Sequence, residues 1–339
     1  MKKLMNLAAA TFLSGALMAA CSGKQASLED LVKTARNYSS QLEDVQTKDQ
    51  DETPVEILTD KLKLAYKKHE LSQMYKNVRQ SHLSPDNVNQ FLEPKGLHFY
   101  KGISANKKHL RVDFLAEIKG KGFFDQILFD NRVKGKYVVL GRALMGQYDP
   151  LVIGWQRNFG EIHIKDEDIT KSAIKIVDNL NFYRYTSEVF DKIKKENPNF
   201  NIREDRIAGF LEVKMMHKEF KDLYDAPKEK AIETVRNRLL QSILIHEQGH
   251  NLSLSEEETI PILCSLRYGE VPFYEVYAAY AKGEKKFLSG FLKTAKELRK
   301  QNSSYPKIES PLDLPELTKK QIRDIAGSFY ENLAEFKNR

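Results

Sequence analysis

The sequence predicts an α+β fold, a mixed N-terminal part with a small β-sheet followed by a mostly helical C-terminal part. Three observations predict it. Between residues 110 and 164, apolar and polar residues alternate or form short aromatic and β-branched runs, the pattern of strands. From residue 166 onward, apolar residues recur at helical spacing between recognisable start and stop signals. A hydrophobic content of 41%, with 10% aromatic residues, can build a core for both parts and excludes a disordered or collagen-like chain.

The first segment is Lys2-Lys3 followed by the apolar stretch Leu4 to Ala20. Its length suits the core of a signal peptide, and it is too short and too rich in small residues for a membrane-spanning helix. It ends in Leu17-Met18-Ala19-Ala20-Cys21, which resembles the signal of bacterial lipoproteins, with Met18 where Leu is more usual. The resemblance implies that residues 1–20 are a signal peptide, that Cys21 becomes the lipidated first residue, and that a lipid anchor holds the protein to a membrane of the cell envelope. Cys264 is the only other cysteine, so acylation of Cys21 leaves no intramolecular disulfide. Within Ile262-Leu263-Cys264-Ser265-Leu266 it reads as a small buried hydrophobe.

Residues 21–54 read as a tether with helical spacing from Leu28 to Leu42, ending in Asp49-Gln50-Asp51-Glu52 and Pro54. Residues 55–165 form the mixed region. Helical spacing over 55–92 breaks at Ser84-Pro85-Asp86, and strands are expected at Leu110–Leu115, Phe123–Phe129, Tyr137–Leu140 and Glu161–Ile164. Residues 166–339 form the helical region. A helix over 170–195 ends at Asn197-Pro198-Asn199, and another covers Arg206 to Tyr224. Asp225 offers a cap and Pro227 suits the first turn of the next helix, which runs through Ala231, Val235, Leu239 and Leu244 into His246-Glu247-Gln248-Gly249-His250. Helices follow at Phe273–Ala281, Phe287–Leu298 and Lys319–Phe336, the last two separated by a Pro-rich connection from Ser303 to Pro315.

The formal net charge of +7 is spread along the chain and interleaved with acids. Without a basic run, nucleic acid is not the expected partner; the charge suits anionic envelope polymers or lipid surfaces.

The chemistry concentrates in His246-Glu247-Gln248-Gly249-His250. Residues i and i+4 lie one turn apart on the same helix face, so two imidazoles can bind one ion. Zinc accepts this arrangement. Glu247 lies about 100° round the helix from His246, beside the ion rather than on it, where it can take a proton from water and pass it to a leaving group. Gly249 permits close backbone approach.

The stretch His246-Glu247-Gln248-Gly249-His250-Asn251-Leu252-Ser253-Leu254 resembles the HExxH segment of metzincin zinc proteases. In that family Gly stands at the position of Ser253 and a third His at that of Glu256, an acid being known there in snapalysin-type proteins; the Met-turn has no counterpart, since no Met follows Met216. Glu256-Glu257-Glu258 before an apolar helix is similar to gluzincins, which place the third-ligand Glu at the start of the next helix; Ile260 stands where those proteins usually have Asn or Asp. The resemblance, which covers residues 239–270, implies a zincin-like region with His246 and His250 as zinc ligands, Glu256 or Glu257 as the third, and Glu247 as the catalytic acid–base group. Glu270, twenty residues after His250, is a further option with thermolysin-like spacing. Ser255 and Glu258 together read as a capping box. Tyr268, Tyr274, Tyr277 and Tyr280 are candidate oxyanion donors that packing also explains, while His163 and His217 read as structural.

The expected protein is thus a lipid-anchored envelope metallopeptidase that acts on peptide or protein substrates through zinc. The alternatives are a non-catalytic envelope lipoprotein with a degenerate motif, or a hydrolase of cell-wall amides.

Overall fold

In the computed structural model, the described residues are 68–80, 85–103, 111–146, 154–157, 161–197, 200, 202–252 and 258–337. Cys21, the tether, Ser255, Glu256 and Glu257 lie outside them. The chain divides into two compact units, Met1–Val88 and Asn89–Arg339. In the first, 68–80 forms helix α1. Helix α2 (Pro85–Leu92) opens on Pro85, whose fixed φ suits a first helical position.

The architecture is α+β, as expected. A long antiparallel hairpin, β2 (Arg111–Leu128) with β3 (Asn131–Gly146), organises the sheet. Its turn is the pair Phe129-Asp130, both left-handed with φ of 46° and 62°. Two such residues match the twist of a tight hairpin, at a conformational cost for a phenylalanine. Tertiary contacts hold it there. The Phe129 ring stacks on Tyr330 at 3.8 Å, and its backbone N–H donates to the Tyr268 hydroxyl at 2.8 Å.

Strands β1 (Leu97–Ile103), β4 (Gly154–Arg157) and β5 (Glu161–Lys165) complete a sheet of order β1-β2-β3-β5-β4. Only β3 and β5 pair in parallel; β4 pairs antiparallel to β5 at the edge. Register shifts in β2 between Leu115 and Gly120 bend the hairpin. The sheet consequently curls, and β1 meets β5 side chain to side chain although two strands separate them in the order.

Helices α3 (Asp166–Asp178) and α4 (Leu180–Glu196) follow β5 directly, so the single helix expected over 170–195 is two, broken at Asn179. Next come α5 (Ile207–Phe220), α6 (Lys228–Gly249), α7 (Thr259–Tyr268), α8 (Pro272–Lys282), α9 (Lys285–Gln301) and α10 (Lys319–Lys337). The core joins Ile162 and Ile164 of β5 to Val235 and Leu239 of α6, Leu263 and Leu266 of α7, and Phe287 and Phe291 of α9. Helix α7 is buried on every side from Ile260 to Leu266, as a helix apolar all round must be. Among the described residues no helix is long and apolar enough to cross a membrane.

Candidate metal centre and active site

Helix α6 carries the motif on its last turn. Pro227 stands at its N-cap and Asp225 lies in the preceding turn, so Asp225 is not the cap that the sequence suggested. Ala231, Val235 and Leu239 are buried and fix the helix in the core, on the stripe that runs at helical spacing towards His246 and His250. His246 and His250 emerge at its C-terminal end, their side chains 18% and 26% exposed. Their ring centroids are 5.4 Å apart and the rings nearly perpendicular, at 77°. Glu247 is buried beside them, and the three residues offer ligand atoms within 4.8 Å of one another.

A second acid comes from the N-cap of the next helix. Glu258 Oε2 lies 3.1 Å from His246 Nε2 and 4.0 Å from His250 Nε2. The capping box read from Ser255 and Glu258 involves Ser255, which lies outside the described residues. Glu258 is itself the N-cap of α7, with helical φ and ψ and no side-chain bond to the backbone, and its carboxylate turns to the histidines. Gly249 sets the spacing of the two helices. A Cβ there would stand 2.7 Å from Pro261 Cα and 3.1 Å from Cys264 Sγ, so only glycine lets α7 approach this closely. Gln248, also buried, accepts a hydrogen bond from Gln126 of β2, tying the helix end to the hairpin.

The electrostatics separate the two carboxylates. Burial pushes Glu247 up to about 7, against the opposing pull of His246 and with a further push from Glu258. The hydrogen bond from His246 holds Glu258 below the usual carboxylate range. Burial depresses His246, but the bond to Glu258 and the charges of Glu247 and Glu275 outweigh it and raise the ring above its ordinary value. His250 is lowered, first by burial and then by His246. An acid kept near neutrality beside a charged pair is the division of labour expected of a general base next to a ligand set.

Three neighbours had no sequence signal. Glu275 of α8, raised by burial, lies within electrostatic reach of His246. Lys282, at the end of α8, acts on Glu247, Glu258 and Glu275. Strand β4 passes over Glu247, since a Cβ on Gly154 would stand 2.9 Å from Glu247 Oε1 and 3.0 Å from Ile243 Cγ2.

Other candidates are placed elsewhere. Glu270 is exposed in the turn after α7, where its backbone N–H donates to Ser242 Oγ, and it does not join the ligand cluster. Tyr268 serves the hairpin turn and Tyr277 donates to Glu212 at 3.2 Å. Tyr274 and Tyr280 are partly buried in the core, consistent with packing. His217 pairs with the Tyr224 hydroxyl at 2.6 Å and is lowered by burial, a structural residue as expected. Cys264 is buried and its thiol is pushed up to about 12, which makes it inert. His163 is fully buried in a second group, with His98 and Glu161, whose ligand atoms also lie within 4.8 Å of one another.

No protein-family model matches the chain, no curated protein matches it, and no solved structure matches it. What the site can do follows from its own geometry.

Proposed function

We propose that the protein is a zinc-dependent peptide hydrolase, held to an envelope membrane through lipid on Cys21. The observation that carries the proposal is the convergence of His246, His250 and Glu258 beside a buried Glu247. The donor types suit the metal, two imidazoles and a carboxylate: Glu258 Oε2 stands 3.1 and 4.0 Å from the two Nε2 atoms, and Glu247 also offers an oxygen to the histidine pair. In that site zinc supplies a Lewis acid and lowers the pKa of water.

The chain's own residues supply the remainder. Glu247, buried beside the histidines, accepts a proton from the attacking water and returns it to the leaving amine. Strand β4 lies at the sheet edge with Gly154 against Glu247, so an extended peptide can add to that edge and pass the general base. Lys282 contributes positive charge within reach of the same carboxylates. Burial of Glu247 excludes bulk water from the proton it carries.

The test pairs metal content with turnover. Glu247→Gln is expected to keep its zinc and lose peptide hydrolysis about 10²–10⁴-fold. His246→Ala is expected to lose the zinc bound at this site. Hydrolysis that persists in Glu247→Gln, or zinc at this site that survives loss of both histidines, refutes the proposal.

A further inference from the structure

Strand β5 is buried along its whole length, and its two faces differ in kind. Ile162 and Ile164 enter the helical core. Glu161, His163 and Lys165 alternate with them on the other face and are 8%, 0% and 3% exposed. Three polar residues in succession on one buried face need partners of matching chemistry. The curl of the sheet brings one from β1: His98 Nε2 stands 3.0 Å from His163 Nε2, and His98 is itself 0% exposed. Glu161 Oε1 lies 3.5 Å from the same His163 nitrogen. Lys165 is engaged elsewhere, by Asp168 at 2.9 Å.

We infer that His98, His163 and Glu161 form a second metal site, a buried structural one for a divalent first-row transition ion, zinc foremost. The separations of 3.0 and 3.5 Å bracket the value of about 3.3 Å that tetrahedral zinc imposes on its ligand atoms. Two imidazoles and one carboxylate suit zinc better than magnesium or calcium, which take oxygen ligands.

The surroundings are arranged for it. The Asn89 amide is oriented by two bonds to Phe99, accepting from its N–H at 2.7 Å and donating to its carbonyl at 3.0 Å. Its NH₂ thereby stands 3.4 Å from His98 Nε2, a long contact that gives way when an ion takes the single lone pair of that nitrogen. Glu93 Oε1 lies 3.7 Å from the other ring nitrogen of His98, and Lys136 Nζ lies 3.5 Å from Glu161 Oε2. The Lys136 ammonium offsets part of the Glu161 charge. Full burial of both histidines rules out substrate access, so the ion pins β1 across the bend to β5 and its binding free energy adds to that of folding. The site is independent of the hydrolytic one, and either assignment can fail without the other.

The test uses the full chain carrying His246→Ala and His250→Ala, loaded with zinc alone and freed of loosely held ion by gel filtration. One zinc per chain is expected by mass spectrometry, and none after adding Glu161→Gln with the circular dichroism retained. A metal-free double variant that keeps its fold overturns the inference, as does zinc content that Glu161→Gln leaves unchanged. Because His163 is fully buried and its replacement risks the fold, cobalt(II) titration of the unmutated site is the second measurement. It is expected to give visible d–d absorption saturating at one equivalent, with paramagnetically shifted proton signals from two imidazoles. Two rings that merely share a hydrogen bond give neither signal, and that result refutes the site.

Discussion

At Glu247 burial and a neighbouring cation pull in opposite directions, and burial prevails. Its folded-state value of about 7 lies above the ordinary 4.5. In the metal-free protein the folded state therefore resists ionisation of this group. Stability from this source is full below pH 4.5, declines as pH rises from 4.5 to 7, and is level above that. The shift corresponds to a penalty on the order of 3 kcal/mol at pH 8. Metal-free Glu247→Gln is accordingly expected to unfold at higher denaturant than the metal-free parent at pH 8 but not at pH 4, as urea titrations at the two pH values would show. Gly154→Ala tests the neighbouring strand. Its methyl would press on Glu247 Oε1, so turnover is expected to fall at least tenfold while zinc content stays constant; unchanged kcat would separate β4 from the reaction. His246, Glu247 and His250 were legible because a helix period alone brings them together. Glu258 was not, because a Ser three residues before a Glu signals a cap through local backbone bonds, whereas the histidines that claim this carboxylate stand on another helix.

Among the elements, α6 and α7 matter most as a pair. Gly249→Ala places a Cβ 2.7 Å from the Pro261 backbone, which cannot yield as a side-chain tip does. A loss of about 1–3 kcal/mol in chemical denaturation is expected, together with weaker zinc binding as α7 moves away from α6. Unchanged stability would mean that the helices are not in contact there. Most helices were readable from their 3.6-residue period, and so were the alternating runs of β2 and β3. Strand β1 was missed because Phe99 and His98 are buried on opposite faces, so no alternation exists to read. Strand β4 has four residues, too few to show any period. The division of the helix over 170–195 at Asn179 was masked because the apolar spacing continues on both sides of the break.

For the whole molecule, the sheet, helices α3 to α10 and both ligand clusters belong to the compact unit Asn89–Arg339. A fragment of residues 89–339 is expected to unfold in a single cooperative transition and to keep the zinc and turnover of the full chain. A non-cooperative melt would show that the chain before Val88 is required for folding. The proposed lipid anchor on Cys21 and the tether after it rest on a pattern of residue types alone and lie outside the described residues. The approach of α7 to α6 at Gly249 has one more consequence. The acid that faces the histidines is specified by where two helices touch, and the number of residues between His250 and Glu258 is a by-product of that contact. For Glu258, then, a substitution on the facing helix at Gly249 is as direct a perturbation as one at the acid itself.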